Sequence, residues 1–179
     1  MIQIPYVMTI ALITALWIIS RVVLSYKKGT INWKRETQLL LVYICLVVIV
    51  RLTFFPFSKV DGKVQPLLFD PANIIPFRLN FLPFVNLMDY EIRREALINV
   101  IGNSFLFLPV GIVYPIVYKK LNTHLKVIAA GIGTSLAIEI LQLPFFDRVT
   151  DIDDLILNSA GYLLGYGIYL LVKKAKKKA

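Results

Sequence analysis

The chain contains one cysteine and one histidine in 179 residues, and its acids are few, eleven against twenty Lys and Arg. A lone Cys45 excludes intrachain disulfides and any multi-cysteine metal site. A lone His124, with no second histidine or cysteine near it, leaves zinc ligation and a serine–histidine triad without support. Asp151-x-Asp153 starts like a calcium loop, but Leu155 and Leu157 occupy its fifth and seventh positions and no glutamate stands at the twelfth, which excludes an EF-hand. Internal repeats are absent, which argues against inverted-repeat transporters. Low-complexity sequence is confined to the basic stretch 173–179.

Apolar sequence is abundant instead. The composition is 58% hydrophobic with a mean hydropathy of +0.71, above the roughly 45–50% apolar content of soluble domains. Five uninterrupted apolar runs, 4–26, 36–57, 96–118, 125–143 and 154–172, each approach the roughly 20 residues that span a bilayer. The expected fold is all-α, an integral membrane bundle of five transmembrane helices forming a single membrane domain over 1–179. The first run has no basic stretch before it and no small-x-small site after it, so a retained helix is expected in place of a removable leader.

Basic residues accumulate in cytoplasmic loops. Twelve of the basics, among them Lys27, Lys28, Lys34, Arg35, Lys119, Lys120, Lys126 and the tail lysines, fall on one side of the five runs; six fall on the other, and Arg21 and Arg51 lie within runs. Nine of the eleven acids lie in the opposite set of loops. The expected topology is a multi-pass cell-membrane protein with its N-terminus outside and its basic tail in the cytoplasm. The lysines then read as a topology signal and a surface for anionic lipid heads, and nucleic acid is not an expected partner.

The outer segment 58–95 exceeds the length of ordinary connections, roughly 12–15 residues at most. Its phenylalanines alternate with prolines and asparagines in "PLLFDPANIIPFRLNFLPFVNLM", which suits a segment lying in the outer interface or re-entering it.

Polar residues inside spans are costly and mark function or packing. Asn99, Gly102 and Asn103 share a stripe on the third helix; Gly131, Ser135, Glu139 and Gln142 on the fourth; Asp154, Asn158, Gly161 and Gly165 on the fifth. Gly161 and Gly165 suit a small-xxx-small packing face, and the asparagines suit interhelical hydrogen bonds. Asp151 or Asp153 suits the cap of the fifth helix. Arg51 and Glu139 lie at similar depth, roughly 21 Å from the inner ends of their helices, so an ion pair between them is expected. Glu139 with Asp151, Asp153 or Asp154 could divide acid and base roles.

Four blocks, "NIIPF" at 73–77, "NVIGNSFLFLPVGIVYP" at 99–115, "IEILQL" at 138–143 and "DRVTDIDDLILNSAGYLLGY" at 147–166, resemble the VanZ-like membrane protein family in order and spacing, over residues 36 to 172. Carried onto the matching positions, the resemblance marks Asn73, Pro76, Phe77, Asn99, Gly102, Asn103, Pro109, Gly111, Glu139, Gln142, Arg148, Asp151, Asp153, Asp154, Asn158, Gly161 and Gly165. It implies a bacterial membrane protein associated with teicoplanin resistance, that is, with reduced susceptibility to lipoglycopeptides acting at the outer face. Two readings follow. In one, an outer polar site of Arg51, Asn73, Phe77, Asn99, Asn103, Gln142, Arg148 and Asn158 binds a lipid, a lipid-linked cell-wall precursor or a lipoglycopeptide without chemistry. In the other, Glu139 and the three aspartates catalyse a reaction on an envelope lipid or precursor, with a divalent cation on Asp151, Asp153 and Asp154 as the one cofactor considered.

Overall fold

The computed structural model describes residues 1–55, 59–75, 79–80, 82–83 and 93–178. Among the described residues five helices are long and apolar enough to cross a membrane: α1 (Tyr6–Lys28), α2 (Trp33–Thr53), α3 (Arg93–Val117), α4 (His124–Gln142) and α5 (Ile152–Lys178). Their ends follow from local chemistry. The Asn32 side chain accepts from the Arg35 N–H and starts α2 three residues before its expected position. Thr123 caps α4 in the same way through the Lys126 N–H. Asp151 caps α5, its Oδ1 accepting the Asp153 N–H at 3.0 Å. The basic tail is helical: α5 runs on to Lys178, because a lysine–alanine run favours helix and its cations suit the negative end of the dipole.

The core lies where α3, α4 and α5 meet, with α2 packed on one side. Phe107, Val110, Val127, Ile138 and Tyr162 are buried there, joined by Ile49 from α2. Lipid tails are as apolar as leucine, so close van der Waals fit has to hold such helices together. The fit between α3 and α5 depends on Gly161 and Gly165. A Cβ on either would overlap the carbonyl of Ser104 or Leu108 on α3, and one on Gly111 would overlap the Tyr162 carbonyl on α5.

Helix α1 buries no residue. Polar contacts tie it to α2: Thr14 Oγ1 lies 2.6 Å from the Tyr43 hydroxyl, and Arg21 pairs with Glu36 at 2.8 Å. The Trp17 ring leans on Tyr43, 4.8 Å between centroids.

Short strands gather the loops of one end. β1 (Ile2–Ile4) pairs antiparallel with β4 (Leu67–Phe69), in register Ile2 to Phe69, and Phe69 bridges to Phe145. Between them β2 (Lys59–Val60) and β3 (Lys63–Val64) form a hairpin turned by Asp61 and Gly62, both at positive φ. A 3-10 turn, Pro71–Ile74, follows β4. β5 (Leu79–Asn80) pairs parallel with β6 (Thr150–Asp151). Within the described residues, segment 58–95 is ribbon and turn up to Asn80 and already helical from Arg93, where α3 begins. At the opposite end the Arg35 guanidinium donates to the Val117 carbonyl, and a cleft of about 800 Å³ is lined by Lys28, Lys34, Arg35, Lys119 and Lys120 among others. Acidic loops and basic loops thus segregate to opposite ends of the bundle.

Candidate functional site

A cavity of about 360 Å³ opens toward the acidic end between α2, α3, α4 and α5. Its lining is Leu52, Thr53, Asn103, Glu139, Gln142, Asp147, Arg148, Val149, Asp154 and Asn158. The polar stripes of α3, α4 and α5 face one another because the glycine contacts draw α5 against α3 and the helical period turns Asn103, Glu139, Asp154 and Asn158 inward.

Each side chain is held by a particular bond. Asn103 Nδ2 donates to Asp154 Oδ1 at 2.5 Å. The Asn158 amide donates to Ser135 Oγ at 3.2 Å, in full burial. Glu139 is 2% exposed, and its Oε2 accepts the Asp151 backbone N–H at 3.2 Å. Its own carbonyl accepts from the Thr150 hydroxyl at 2.9 Å, which fastens the 143–151 loop to α4. Gln142 Nε2 donates to the Thr53 carbonyl at 2.6 Å. Arg148 donates twice to the Phe54 carbonyl, from Nε at 3.0 Å and from Nη2 at 2.8 Å. Two carbonyls at the C-terminal end of α2, left without helical partners, are thereby satisfied by side chains of the cavity. Burial pushes the Arg148 guanidinium below its ordinary range, while Asp147 and Asp154 oppose that shift.

Six residues expected in the site line this cavity: Asn103, Glu139, Gln142, Arg148, Asp154 and Asn158. Asp151 stands at its edge, capping α5, accepting from Asn80 Nδ2 at 3.3 Å and donating its backbone N–H to Glu139. Asp153 is buried at 2% exposure in the first turn of α5 and does not line the cavity. Asn73 lies in the 3-10 turn and does not line it, with Nδ2 buried and no hydrogen-bond partner among the described residues. Phe77 and the side chain of Asn99 lie outside the described residues.

The expected Arg51–Glu139 ion pair does not form. Among the described residues the one ion pair within 4 Å is Arg21–Glu36. Arg51 turns toward the C-terminal end of its own helix, donating to the Phe55 carbonyl at 3.2 Å with its guanidinium 5.6 Å from the Tyr6 ring centroid. Equal depth fixed the height of the two residues and not the direction each faces around its helix. The guanidinium of the cavity comes from Arg148 in the loop. Among the described residues no three His, Cys, Asp or Glu side chains converge as metal ligands would.

Sequence reasoning missed Leu52, Thr53, Asp147 and Val149 as lining residues, and it missed Asn80 as the partner of Asp151. Thr53 takes part through its carbonyl, which no side-chain pattern reveals.

A family model described as VanZ/LLP1 matches residues 40–173. A curated relative, Protein VanZ of Enterococcus faecium, is 34% identical over 96 residues, covering 54% of this chain and 55% of the relative. The chain thus spans about half the length of the curated relative it matches. No solved structure matches. The matched range takes in every residue lining the cavity and leaves α1 outside. With three quarters of its length under that family model and five helices of spanning length, the chain is a multi-pass membrane protein that belongs to the VanZ/LLP1 family.

Proposed function

We propose that this protein acts in the bacterial cell envelope to lower susceptibility to teicoplanin and related lipoglycopeptides, and that its cavity binds a lipid-linked or lipopeptide molecule at the outer membrane face. The observation that carries this reading is the cavity itself. Eight polar or charged residues from four helices and one loop converge at the end of the spanning region, where an isolated charge costs several kcal/mol. Packing alone gives no reason to place Asp154 in the same cavity as the buried Glu139. The distribution of Lys and Arg supports an outward-facing cavity, with the N-terminus outside and the lysine-rich end of α5 in the cytoplasm. The drug class comes from the family resemblance, and the lipid tail of teicoplanin gives the reason it fits an outer-leaflet site.

A second reading rests on Glu139 and Asp154 lining one cavity: two carboxylates in unequal environments can divide acid and base roles. The binding reading is preferred, because no nucleophile with an adjacent base lines the cavity among the described residues.

Expression in a susceptible Gram-positive host tests the proposal. The inhibitory concentration of teicoplanin is expected to rise more than that of vancomycin, and Glu139→Gln or Asp154→Asn is expected to abolish the rise at unchanged membrane abundance. Equal shifts for both drugs, or full protection by both variants, would remove the proposal. Turnover of a labelled envelope lipid by the purified parent, lost in Glu139→Gln, would favour the enzymatic reading.

A further inference from the structure

Every side-chain amide lining the cavity, and two of the three nitrogens of its guanidinium, already donate within the protein. Arg148 Nε and Nη2 are committed to the Phe54 carbonyl, Gln142 Nε2 to the Thr53 carbonyl, Asn103 Nδ2 to Asp154, and Asn158 Nδ2 to Ser135. Acceptors remain in surplus. Asn158 is 2% exposed, lines the cavity, and has an Oδ1 with no hydrogen-bond partner among the described residues. A buried carbonyl oxygen left this way costs about 1–3 kcal/mol unless something donates to it. Three carboxylates, Glu139, Asp147 and Asp154, face the cavity against the single guanidinium of Arg148. An ionised carboxylate has about four acceptor sites. One on Glu139 is used by the Asp151 N–H and one on Asp154 by Asn103.

Resting on the reading of this cavity as a ligand site, we propose that the group it takes is a primary ammonium, carried by an amphiphile entering from the membrane. An ammonium brings three donors and one positive charge, which matches Asn158 Oδ1 and the carboxylates of Glu139 and Asp154. A phosphate or diphosphate head brings negative charge to a site where three carboxylates already face one guanidinium, so like-charge repulsion keeps it outside. A neutral sugar supplies donors and leaves the carboxylates uncompensated.

The test uses the full-length protein in phosphatidylcholine nanodiscs, with binding measured by equilibrium dialysis above that of empty nanodiscs. The probes are octylammonium, octyltrimethylammonium, octyl phosphate and octyl glucoside. Octylammonium is expected to bind saturably at one per chain. Loss of a hydrogen bond to a charged group weakens binding about tenfold or more, which is the effect expected for Glu139→Gln, Asp154→Asn and Asn158→Leu, and for the trimethylated probe, which has the charge and no N–H. Lys176→Gln, at the other end of α5, is expected to bind as the parent does. Circular dichroism establishes which variants are folded, and the isosteric Glu139→Gln and Asp154→Asn decide the matter if Asn158→Leu does not fold. The proposal is overturned if octyl phosphate or octyl glucoside binds the parent as tightly as octylammonium. It is equally overturned if the trimethylated probe binds as well, or if Glu139→Gln and Asp154→Asn leave octylammonium binding unchanged. Ammonium binding lost in variants that still protect cells would sink the resistance reading and leave this inference standing. Resistance lost in those variants, with no saturable ammonium binding by the parent, would do the reverse.

Discussion

Adding one methyl group at Gly161 tests how α3 and α5 are held together. In Gly161→Ala the new Cβ would sit on the Ser104 carbonyl, so the helices must part by more than about 1 Å to restore ordinary contact. A backbone carbonyl in the middle of a helix cannot rotate aside as a side chain can. Overpacking of this kind destabilises by about 1–3 kcal/mol, or about five- to 150-fold in the ratio of folded to unfolded protein. Gly133 on α4 and Gly167 on α5 provide the comparison, since a Cβ at either meets nothing within 4 Å. There alanine removes the flexibility of glycine from a helix and should stabilise by about 0.5–1 kcal/mol. The same chemical change is thus expected to have opposite signs six residues apart on α5. Unfolding of the purified protein by SDS titration in mixed micelles, followed by circular dichroism, measures both. If Gly161→Ala proves as stable as Gly167→Ala, the glycine contact is not what holds these helices together.

Three further outcomes are expected. Asparagine caps a helix about as well as aspartate, so Asp151→Asn should be mild in the same titration, whereas Asp151→Ala should lose about 0.5–2 kcal/mol; equal losses would contradict the capping role. Arg148→Gln removes charged donors from the Phe54 carbonyl and should lower stability by about 1.5–3 kcal/mol, with parental stability ruling the clasp out as a structural contact. In a Cys45→Ala background, Asp61→Cys should react with an impermeant thiol reagent on intact cells and Lys176→Cys should not, and the reverse pattern would invert the proposed orientation.

Hydropathy made the five spans legible, because in lipid each helix must satisfy its own backbone and therefore needs a long apolar run. Their ends were less legible. Asn32 could be recognised as a cap only once it was clear that Trp33, Lys34 and Arg35 belong to the helix. The Asp61–Gly62 hairpin was readable, since Asp-Gly between Lys–Val pairs is a strong turn signal, whereas the reading of the segment as interfacial addressed its position and not its pairing. The helical period gave the correct inward faces for Asn103, Glu139, Asp154 and Asn158, because it fixes direction within one helix. It said nothing about direction between helices, which is why Arg51 was assigned to Glu139 and Arg148 was not placed on the Phe54 carbonyl. Pairings such as Asn80 with Asp151, 71 residues apart, arise from tertiary folding and leave no local trace.

The interlocked α3 and α5 also have a consequence for the order of events at the ribosome. Helices enter the bilayer as they are synthesised, yet the chain supplying Gly161 and Gly165 comes after everything they pack against. Until then Ser104, Leu108 and Gly111 have no partner, and the α1–α2 pair, with almost nothing buried, cannot stand in for the core. The final segment therefore works as a keystone: a polypeptide stopped before Ile152 would have four inserted helices and no closed centre, and membrane quality control would meet it as an unfinished protein.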